Sequence, residues 1–483
     1  VETNTLSSVL SNDTSAVLTG ADVPVSGVEY RSDRVRPGDA FFCISGFRHD
    51  GHEFAADAVA RGAVALVCER SLALGVPEMK VTDTRRALAL ASARFWGDPT
   101  SQLDVVGITG TNGKTTTAYL TDSILRAAGR RTGLIGTVET RVGEERLPSS
   151  RTTPESADLQ QLFARMLGAS VSAVSMEVSS HAIDLSRADG VHFAVAAFTN
   201  LTQDHLDYHH TLEEYWSVKR RLFTELDVAE RVVNIDDPRG KELAAETGAR
   251  WTIGRDAAAA VRAEHESPGP LSTRFTLVTP GGDVQVELPL PGAYNVSNAL
   301  VAAGAALALG IRLEDVAAGL EHAPQVPGRL ERIDEGQRFA VFVDYAHTPD
   351  SLTKAVAAVR AVTPGRVITV FGCGGDRDPE KRPLMGRAAG EGSDEIVVTS
   401  DNPRSEDPVG IVLQIEDGLR PTGASHAVEI DRRAAIARAL GMAAEGDAVL
   451  IAGKGHEDYQ IFSDHTIHFD DREVAREELM KLC

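Results

Sequence analysis

The chain has 483 residues, 42% hydrophobic and 25% charged, and its 49 basic against 70 acidic side chains leave a formal charge of −21. That length exceeds one ordinary core and implies two to four domains, of which three are expected. So acidic a field repels nucleic acid, no apolar run reaches the roughly 18 residues of a membrane helix, and no secretory signal stands at the start, so a cytoplasmic chain with neither nucleic acid nor membrane as partner is expected.

In chain order, Val35-Arg36-Pro37-Gly38-Asp39 marks a turn before a strand over 40–44, a short helix over 54–60 and a strand over 63–68. An alanine-rich helix over 84–95 ends at Gly97-Asp98-Pro99, closing a small α/β module. The next segment opens on a strand over 103–108, a glycine-rich turn and a helix over 114–128, with further strands over 171–178, 193–199 and 231–235. Buried strands alternating with helices predict a mostly parallel sheet covered on both faces, with functional loops beyond the carboxyl ends of its strands. A helix over 296–309 closes this segment. The pattern changes near Val326-Pro327-Gly328-Arg329, after which strands over 339–344, 366–371, 395–400 and 448–452 and helices over 350–362 and 432–444 predict a second nucleotide-type fold. The expected domains are 1–98, 99–328 and 329–483, with a substrate cleft between domains.

The run Gly107-Ile108-Thr109-Gly110-Thr111-Asn112-Gly113-Lys114-Thr115-Thr116 joins a strand to a helix. Glycines let backbone N–H groups reach phosphate oxygens, the helix N-terminus favours their charge, Lys114 reaches the outer phosphates, and Thr115 offers a hydroxyl to Mg²⁺. Counted from Gly107, the spacing is one residue longer than the usual phosphate loop. Glu177 and His205 follow separate strands, where a carboxylate and an imidazole can complete magnesium sites near the phosphates. Lys219, in Tyr215-Trp216-Ser217-Val218-Lys219-Arg220-Arg221, reads by spacing alone as part of the basic face of an amphipathic helix. Ser179-Ser180-His181 lacks a G-x-S-x-G elbow, which leaves it positioning or substrate contacts rather than serine catalysis. Cys43, Cys68, Cys373 and Cys483 form no C-x-x-C and read as free thiols.

These residues resemble the Mur ligase family, which builds the bacterial cell-wall peptide. The resemblance runs across nearly the whole chain and rests on Gly110–Thr116, Met176–His181, Thr199-Asn200-Leu201 with Asp204-His205-Leu206-Asp207, and Asp344-Tyr345-Ala346-His347-Thr348-Pro349. It implies a three-domain α/β fold: an N-terminal UDP-binding module, a central parallel-sheet ATPase-like domain with the phosphate loop, and a C-terminal Rossmann-like domain for the incoming amino acid. It implies ATP and Mg²⁺, with Lys114, Glu177, His205 and Lys219 catalytic, and Lys219 carried as a carbamate (N6-carboxylysine) that holds metal beside Thr115, Glu177 and His205. Asn295, Asn298, Arg329 and Asp344 then border the nucleotide, and Ser32, Thr152, Thr153, Ser179 and Arg187 surround the uridine-linked substrate.

Within the family, Phe371–Asp378, Asp401-Asn402-Pro403-Arg404 and Gly453-Lys454-Gly455-His456-Glu457 match the member that adds the third amino acid. The implied substrates are UDP-N-acetylmuramoyl-L-alanyl-D-glutamate and meso-2,6-diaminopimelate, joined through an acyl phosphate by a monomer. Arg404 supplies a fork for the distal carboxylate of diaminopimelate, with Arg377, Asp401, Asn402, Pro403 and Gly453 around it, and Glu457 opposes its ammonium. L-lysine, which lacks that carboxylate, is the nearest alternative substrate. A folylpolyglutamate-type ligase and a nonenzymatic ATP switch are more distant alternatives. The sequence departs from the family at Arg31-Ser32-Asp33 and at Gly46-Phe47-Arg48-His49-Asp50-Gly51.

Overall fold

A computed structural model describes residues 4–46, 49–148, 151–269 and 271–482. Phe47 and Arg48, in one of the departures noted above, and Cys483 lie outside the described residues. The chain divides into two compact units, one formed by Val1–Thr109, Gly129–Ala197 and Ser217–Val232, the other by Gly110–Ala128, Phe198–Trp216 and Val233–Cys483.

In the first unit, a five-stranded sheet runs in the order Val17–Thr19, Glu78–Lys80, Ala65–Cys68, Asp39–Phe42, Gly27–Glu29. Every pairing is parallel except that of the edge strand Val17–Thr19. Alternate side chains of Asp39–Phe42 serve two cores: Ala40 and Phe42 pack with Leu88 and Ala91 of helix Thr84–Phe95, and Phe41 with Ala55 and Ala58. That helix begins where Asp83 accepts the N–H groups of Arg85 and Arg86. A second sheet in this unit pairs Ala173–Glu177 parallel with both Asp104–Thr109 and Thr132–Ile135. It continues antiparallel through Thr140–Val142 to Glu145–Leu147.

In the second unit, Val261–Pro268, Thr273–Thr279 and Gly282–Leu288 form an antiparallel meander. The sequence reading found buried apolar runs and passed over this one. Its residues alternate buried and exposed, as in the outward Arg262 and Glu264 against the inward Val261 and Ala263. A six-stranded sheet orders Glu331–Ile333, Ala340–Asp344, Ala448–Ala452, Val367–Phe371, Glu395–Val398 and Ser425–Val428, parallel except for the first strand. Its two faces fill separate cores: Phe342, Phe371 and Leu450 meet helices Pro349–Val362, Lys381–Gly392 and Pro408–Leu419, while Val343, Val370 and Ile451 meet Arg432–Met442 and Asp471–Leu482. This doubly covered, mostly parallel sheet is the second nucleotide-type fold that the sequence predicts for the third segment. Cys43, Cys68 and Cys373 are free and buried, as expected.

One buried ion pair ties three loops of that sheet together. Arg432 donates to both carboxylate oxygens of Asp471 at 2.8 and 2.7 Å, and to the carbonyls of Ser400 and Ala452 at 3.3 and 3.0 Å, with neither charged side chain exposed. Removing one partner strands the other charge in the interior. Arg432→Met is expected to destabilise the protein by roughly 3 to 5 kcal/mol, and the double variant Arg432→Met/Asp471→Leu to recover most of that loss, both read by denaturant unfolding.

Candidate functional site

The phosphate loop is built by two glycines in the left-handed half of backbone space, Gly110 at φ +146° and Gly113 at φ +87°. A β carbon at Gly110 would lie 1.9 Å from Thr199 Oγ1, and one at Gly113 would lie 2.2 Å from Asn298 Oδ1. Gly107 does a different job in the first unit: it sits within strand Asp104–Thr109, where a β carbon would lie 2.5 Å from the Phe193 ring. The turn glycine is therefore Gly110, and Gly107 belongs to the strand rather than to the loop. Gly113 caps helix Lys114–Ala127, whose first N–H groups are without helical partners. The loop is braced by Thr111 N–H to Asn200 O at 2.8 Å, Asn112 N–H to Asn200 Oδ1 at 3.0 Å, and Thr199 Oγ1 to Asn112 O at 2.7 Å. Lys114 Nζ donates to the carbonyls of Gly110 and Thr111 at 2.9 and 2.8 Å, beside the loop it is expected to serve.

A cavity of about 720 Å³ opens at this helix end, lined by Gly113, Thr115 and Thr116, by Asn298 and Tyr294, and by Arg329 and Asp344. Asn298 reaches it directly; Asn295 lies behind, accepting from Asn298 at 3.1 Å through Oδ1 and donating to Pro291 O at 2.8 Å. Arg329 donates to Thr115 Oγ1 at 3.1 Å and lies 4.5 Å over the Tyr345 ring. Its buried Nε has no hydrogen-bond partner among the described residues. An unspent guanidinium donor beside a helix N-terminus suits a polyphosphate. Asp344 is spent on backbone, accepting from Leu330 N–H at 2.6 Å and Ala346 N–H at 2.8 Å, and burial pushes its carboxyl up. Burial also acts on Asp204, yet His205, His347, Lys381 and Lys114 together hold its carboxyl below the usual range. His205 itself adopts a left-handed backbone at φ +54°, with Nε2 3.5 Å from Asp204 Oδ2.

In the first unit, the residues expected around the uridine-linked substrate gather at the end of strand Ala173–Glu177. Thr153 Oγ1 donates to Glu177 O at 2.8 Å and accepts from Ser179 N–H at 3.2 Å. Thr152 Oγ1 meets Thr137 Oγ1 at 2.9 Å, and Thr137 in turn donates through N–H and hydroxyl to the Glu177 carboxylate at 2.8 and 3.1 Å. Arg187 donates to Thr153 O at 3.3 Å and to Glu155 at 2.6 Å. Buried Glu155 also meets Arg85 at 3.4 Å and Arg151 at 3.3 Å, so three guanidinium groups share one carboxylate and leave local positive charge. Ser32 stands apart from that cluster, opening the short helix Ser32–Arg34 beside Asp57. Lys219 on helix Leu212–Thr224 is 1% exposed, so it is not the solvated basic residue that spacing alone suggests.

Three loops, following strands Val367–Phe371, Glu395–Val398 and Ala448–Ala452 of the six-stranded sheet, carry the residues expected for amino-acid recognition. Gly374 stands where a β carbon would lie 2.9 Å from Arg404 Nη1 and 3.8 Å from Arg377 Cγ, so both arginines flank it. Arg404, at φ +53°, donates to Gly375 O at 2.7 Å. Asn402 donates to Glu457 Oε2 at 2.9 Å, and the Gly375 N–H bonds to Asn402 O at 2.9 Å. Gly453 leaves room for Asp401, whose Oδ2 would lie 2.8 Å from a β carbon there. Pro403 lies between Asn402 and Arg404, its carbonyl accepting from Glu406 N–H at 3.0 Å.

Known proteins resemble this chain in sequence and fold. Residues 24–96 match the Mur ligase family, catalytic domain, residues 108–306 the Mur ligase middle domain, and residues 328–455 the Mur ligase, glutamate ligase domain. A UDP-N-acetylmuramoyl-L-alanyl-D-glutamate--2,6-diaminopimelate ligase from Geobacillus kaustophilus is 49% identical over 465 residues, covering 95% of each chain. The enzyme of that name from Solibacter usitatus is 50% identical over 467 residues, covering 95% of this chain and 94% of its own. The chain belongs to the Mur ligase family. A solved structure of a ligase with the same name is 30% identical, covers 99% of both chains and has a TM-score of 0.71. The three-domain α/β fold and the ATP-dependent peptide ligation of peptidoglycan synthesis are those of Mur ligases.

Several residues of this Mur ligase went unassigned in the sequence. Thr137 follows a strand, Thr132–Ile135, too short to stand out, and Glu155 gathers arginines from positions 85, 151 and 187 that no local pattern links. Asp204 stood in a quoted motif, but its cationic surroundings come from residues far along the chain. Because Gly113 is both left-handed and in contact with Asn298, Gly113→Ala is expected to raise the Kd for an ATP analogue by about tenfold or more. Calorimetric titration checks this, and an unchanged Kd would show that the loop absorbs the methyl group.

Proposed function

We infer that this Mur ligase adds meso-2,6-diaminopimelate to the D-glutamyl γ-carboxylate of UDP-N-acetylmuramoyl-L-alanyl-D-glutamate, giving the UDP-linked tripeptide, ADP and phosphate. The observation that carries the reading is the pairing of opposite charges in the C-terminal loops: Arg404 and Arg377 flank Gly374, while Glu457 is bonded to Asn402. The distal head of diaminopimelate presents a carboxylate and an ammonium together. A guanidinium fork suits the first and a carboxylate the second. The relatives named as diaminopimelate ligases, about half identical over nearly their whole length, support the same assignment.

In this reading, the backbone donors of Gly113 and of the first turn of helix Lys114–Ala127, with Lys114 and Arg329, hold the triphosphate while the γ-phosphoryl group passes to the substrate carboxylate. Thr152, Thr153, Ser179 and Arg187 orient that carboxylate, and Ser32 serves the UDP end. The amine of the amino acid then attacks the acyl phosphate carbonyl, phosphate leaves, and the amine's proton is lost. Asn298 faces the nucleotide, held by Asn295, and Asp344 fixes the backbone beside Arg329.

Thr115, Glu177, His205 and a carbamate on Lys219 are the proposed holders of magnesium, which when bound neutralises charge on the phosphoryl oxygens. Their hydroxyl, carboxylate and carbamate oxygens suit a hard cation that takes few protein ligands and completes its shell with phosphate and water. Lys219 is buried rather than solvated, which supports a role other than that of a surface base. The division at 98/99 and 328/329, a monomeric state and a cytoplasmic address belong to the same proposal. Among the described residues no helix is long and apolar enough to cross a membrane.

ATP-dependent condensation of the UDP-linked dipeptide is to be compared with diaminopimelate, with L-lysine and without an amino acid, the intact products being weighed by mass spectrometry. A dominant diaminopimelate adduct is expected; a lysine adduct would keep the ligase and overturn the pocket assignment. In the same assay Arg404→Ala is expected to raise KM for diaminopimelate roughly tenfold or more, with KM for ATP little changed. Lys219→Ala is expected to abolish turnover, with partial recovery on adding a short-chain carboxylate; full activity without rescue refutes the carbamate.

A further inference from the structure

Lys454 is completely buried, yet it belongs to a loop at the amino-acid pocket and has no part in the function proposed so far. Its Nζ donates to Glu457 Oε2 at 3.3 Å, to Asn402 Oδ1 at 3.4 Å and to the carbonyl of Tyr459, and lies 5.3 Å from the centre of the Tyr459 ring. The orientation of Asn402 is settled by a neighbour: the Ile461 N–H donates to it at 3.0 Å, so that atom is the amide oxygen. The amide nitrogen therefore faces Glu457 Oε2, at 2.9 Å. Two donors thus converge on one oxygen of Glu457. The other, Oε1, accepts from the Tyr345 hydroxyl at 3.5 Å, the Tyr459 phenol also bonds the carboxylate, and the side chain remains 17% exposed.

A carboxylate so arranged is rotationally fixed, with Oε2 held by two donors of the protein and Oε1, the more weakly held oxygen, turned to the ligand. Resting on the reading of Glu457 as the group that opposes the substrate ammonium, we propose that Lys454 is a positioning residue for amino-acid recognition. Its ammonium fixes Oε2 of Glu457, so that Oε1 meets the amino group of diaminopimelate. The electrostatics agree: burial and then Asp401 push the Glu457 carboxyl up, while Lys454 and Asn402 oppose that shift and favour the charged form a cation needs. Without Lys454, Asp401 and Glu457 would face one another with Arg432, itself bonded to Asp471, as the buried cation still acting on both.

A double-mutant cycle in the full-length enzyme separates this role from general support of the fold. Lys454→Met is expected to raise KM for diaminopimelate roughly tenfold to a hundredfold, with kcat and KM for ATP changing far less, and Lys454→Arg to restore part of the loss. Glu457→Gln removes the charge that Lys454 holds, so Lys454→Met added to Glu457→Gln should cost little more than Glu457→Gln alone. If the two effects instead multiply, Lys454 acts independently of Glu457 and the proposal falls while the pocket assignment stands. If Glu457→Gln leaves KM for diaminopimelate unchanged, the assignment of Glu457 fails and the proposal with it. Should Lys454→Met not fold, Lys454→Gln, which keeps a donor without the charge, is carried through the same cycle.

Discussion

The nucleotide side of this enzyme depends on how closely the phosphate loop approaches its neighbours. A β carbon at Gly110 would fall 1.9 Å from Thr199 Oγ1, well inside any permissible contact, and that hydroxyl is the one that holds Asn112 O. The loop can therefore be braced from the side only because the turn has no side chain there. Once braced through the Thr111 and Asn112 amides, the loop sets Gly113 and the N-terminus of helix Lys114–Ala127 in a fixed position, which is what a phosphate requires and what a flexible loop would have to order at binding. Gly113 repeats the logic against Asn298, which faces the cavity with Asn295 locking its amide from behind. Arg329 then enters a space whose walls are already set, and its unpartnered Nε remains unspent.

A different constraint shapes the amino-acid side. In a parallel sheet all carboxyl ends lie on one edge, so loops that are far apart in the chain are neighbours there. Strand Ala340–Asp344 lies next to Ala448–Ala452, which lies next to Val367–Phe371. Residues from 344 to 457 thereby share one rim, including Asp344, Arg404 and Glu457. Arg432 and Asp471 hold two of these loops from within through the carbonyls of Ser400 and Ala452. The rim can thus carry left-handed residues such as Arg404, whose conformation is sustained by its surroundings.

Much of this was legible in the sequence, and the exceptions have physical causes. Long apolar strands and capped helices stood out: the helix over 84–95 matches Thr84–Phe95, and the strand over 448–452 matches Ala448–Ala452. The meander over 261–288 did not, because alternation of polar and apolar residues is a weaker signal than a solid apolar run. Three-residue strands such as Gly27–Glu29 were equally silent, for pairing rather than sequence defines them. Among site residues, the glycine-lysine-threonine loop and the Asp401–Arg404 segment are local patterns and were readable. Lys219 shows where local pattern fails: its helix spacing suggested a solvated base, whereas tertiary packing buries it. Glu155 shows the complementary failure, since the value of that carboxylate lies in three arginines brought from separate segments.

Those buried charges also bear on how a chain of formal charge −21 can handle anionic substrates. The net charge acts over distances at which salt screens it, about 8 to 10 Å in ordinary buffers. Inside that distance the local arrangement decides, and there the signs are reversed. Three guanidinium groups outweigh Glu155, and Lys114, Lys381 and two histidines surround Asp204. Each cationic set is gathered about an acidic residue rather than left to repel itself, which holds the positive groups close together at a smaller electrostatic cost. The embedded carboxylates Glu155, Asp204 and Glu457 are therefore organisers of positive charge as much as negative groups in their own right. On the proposed assignment of these clusters, an anion is recognised by short-range geometry and desolvated charge, not by attraction from afar.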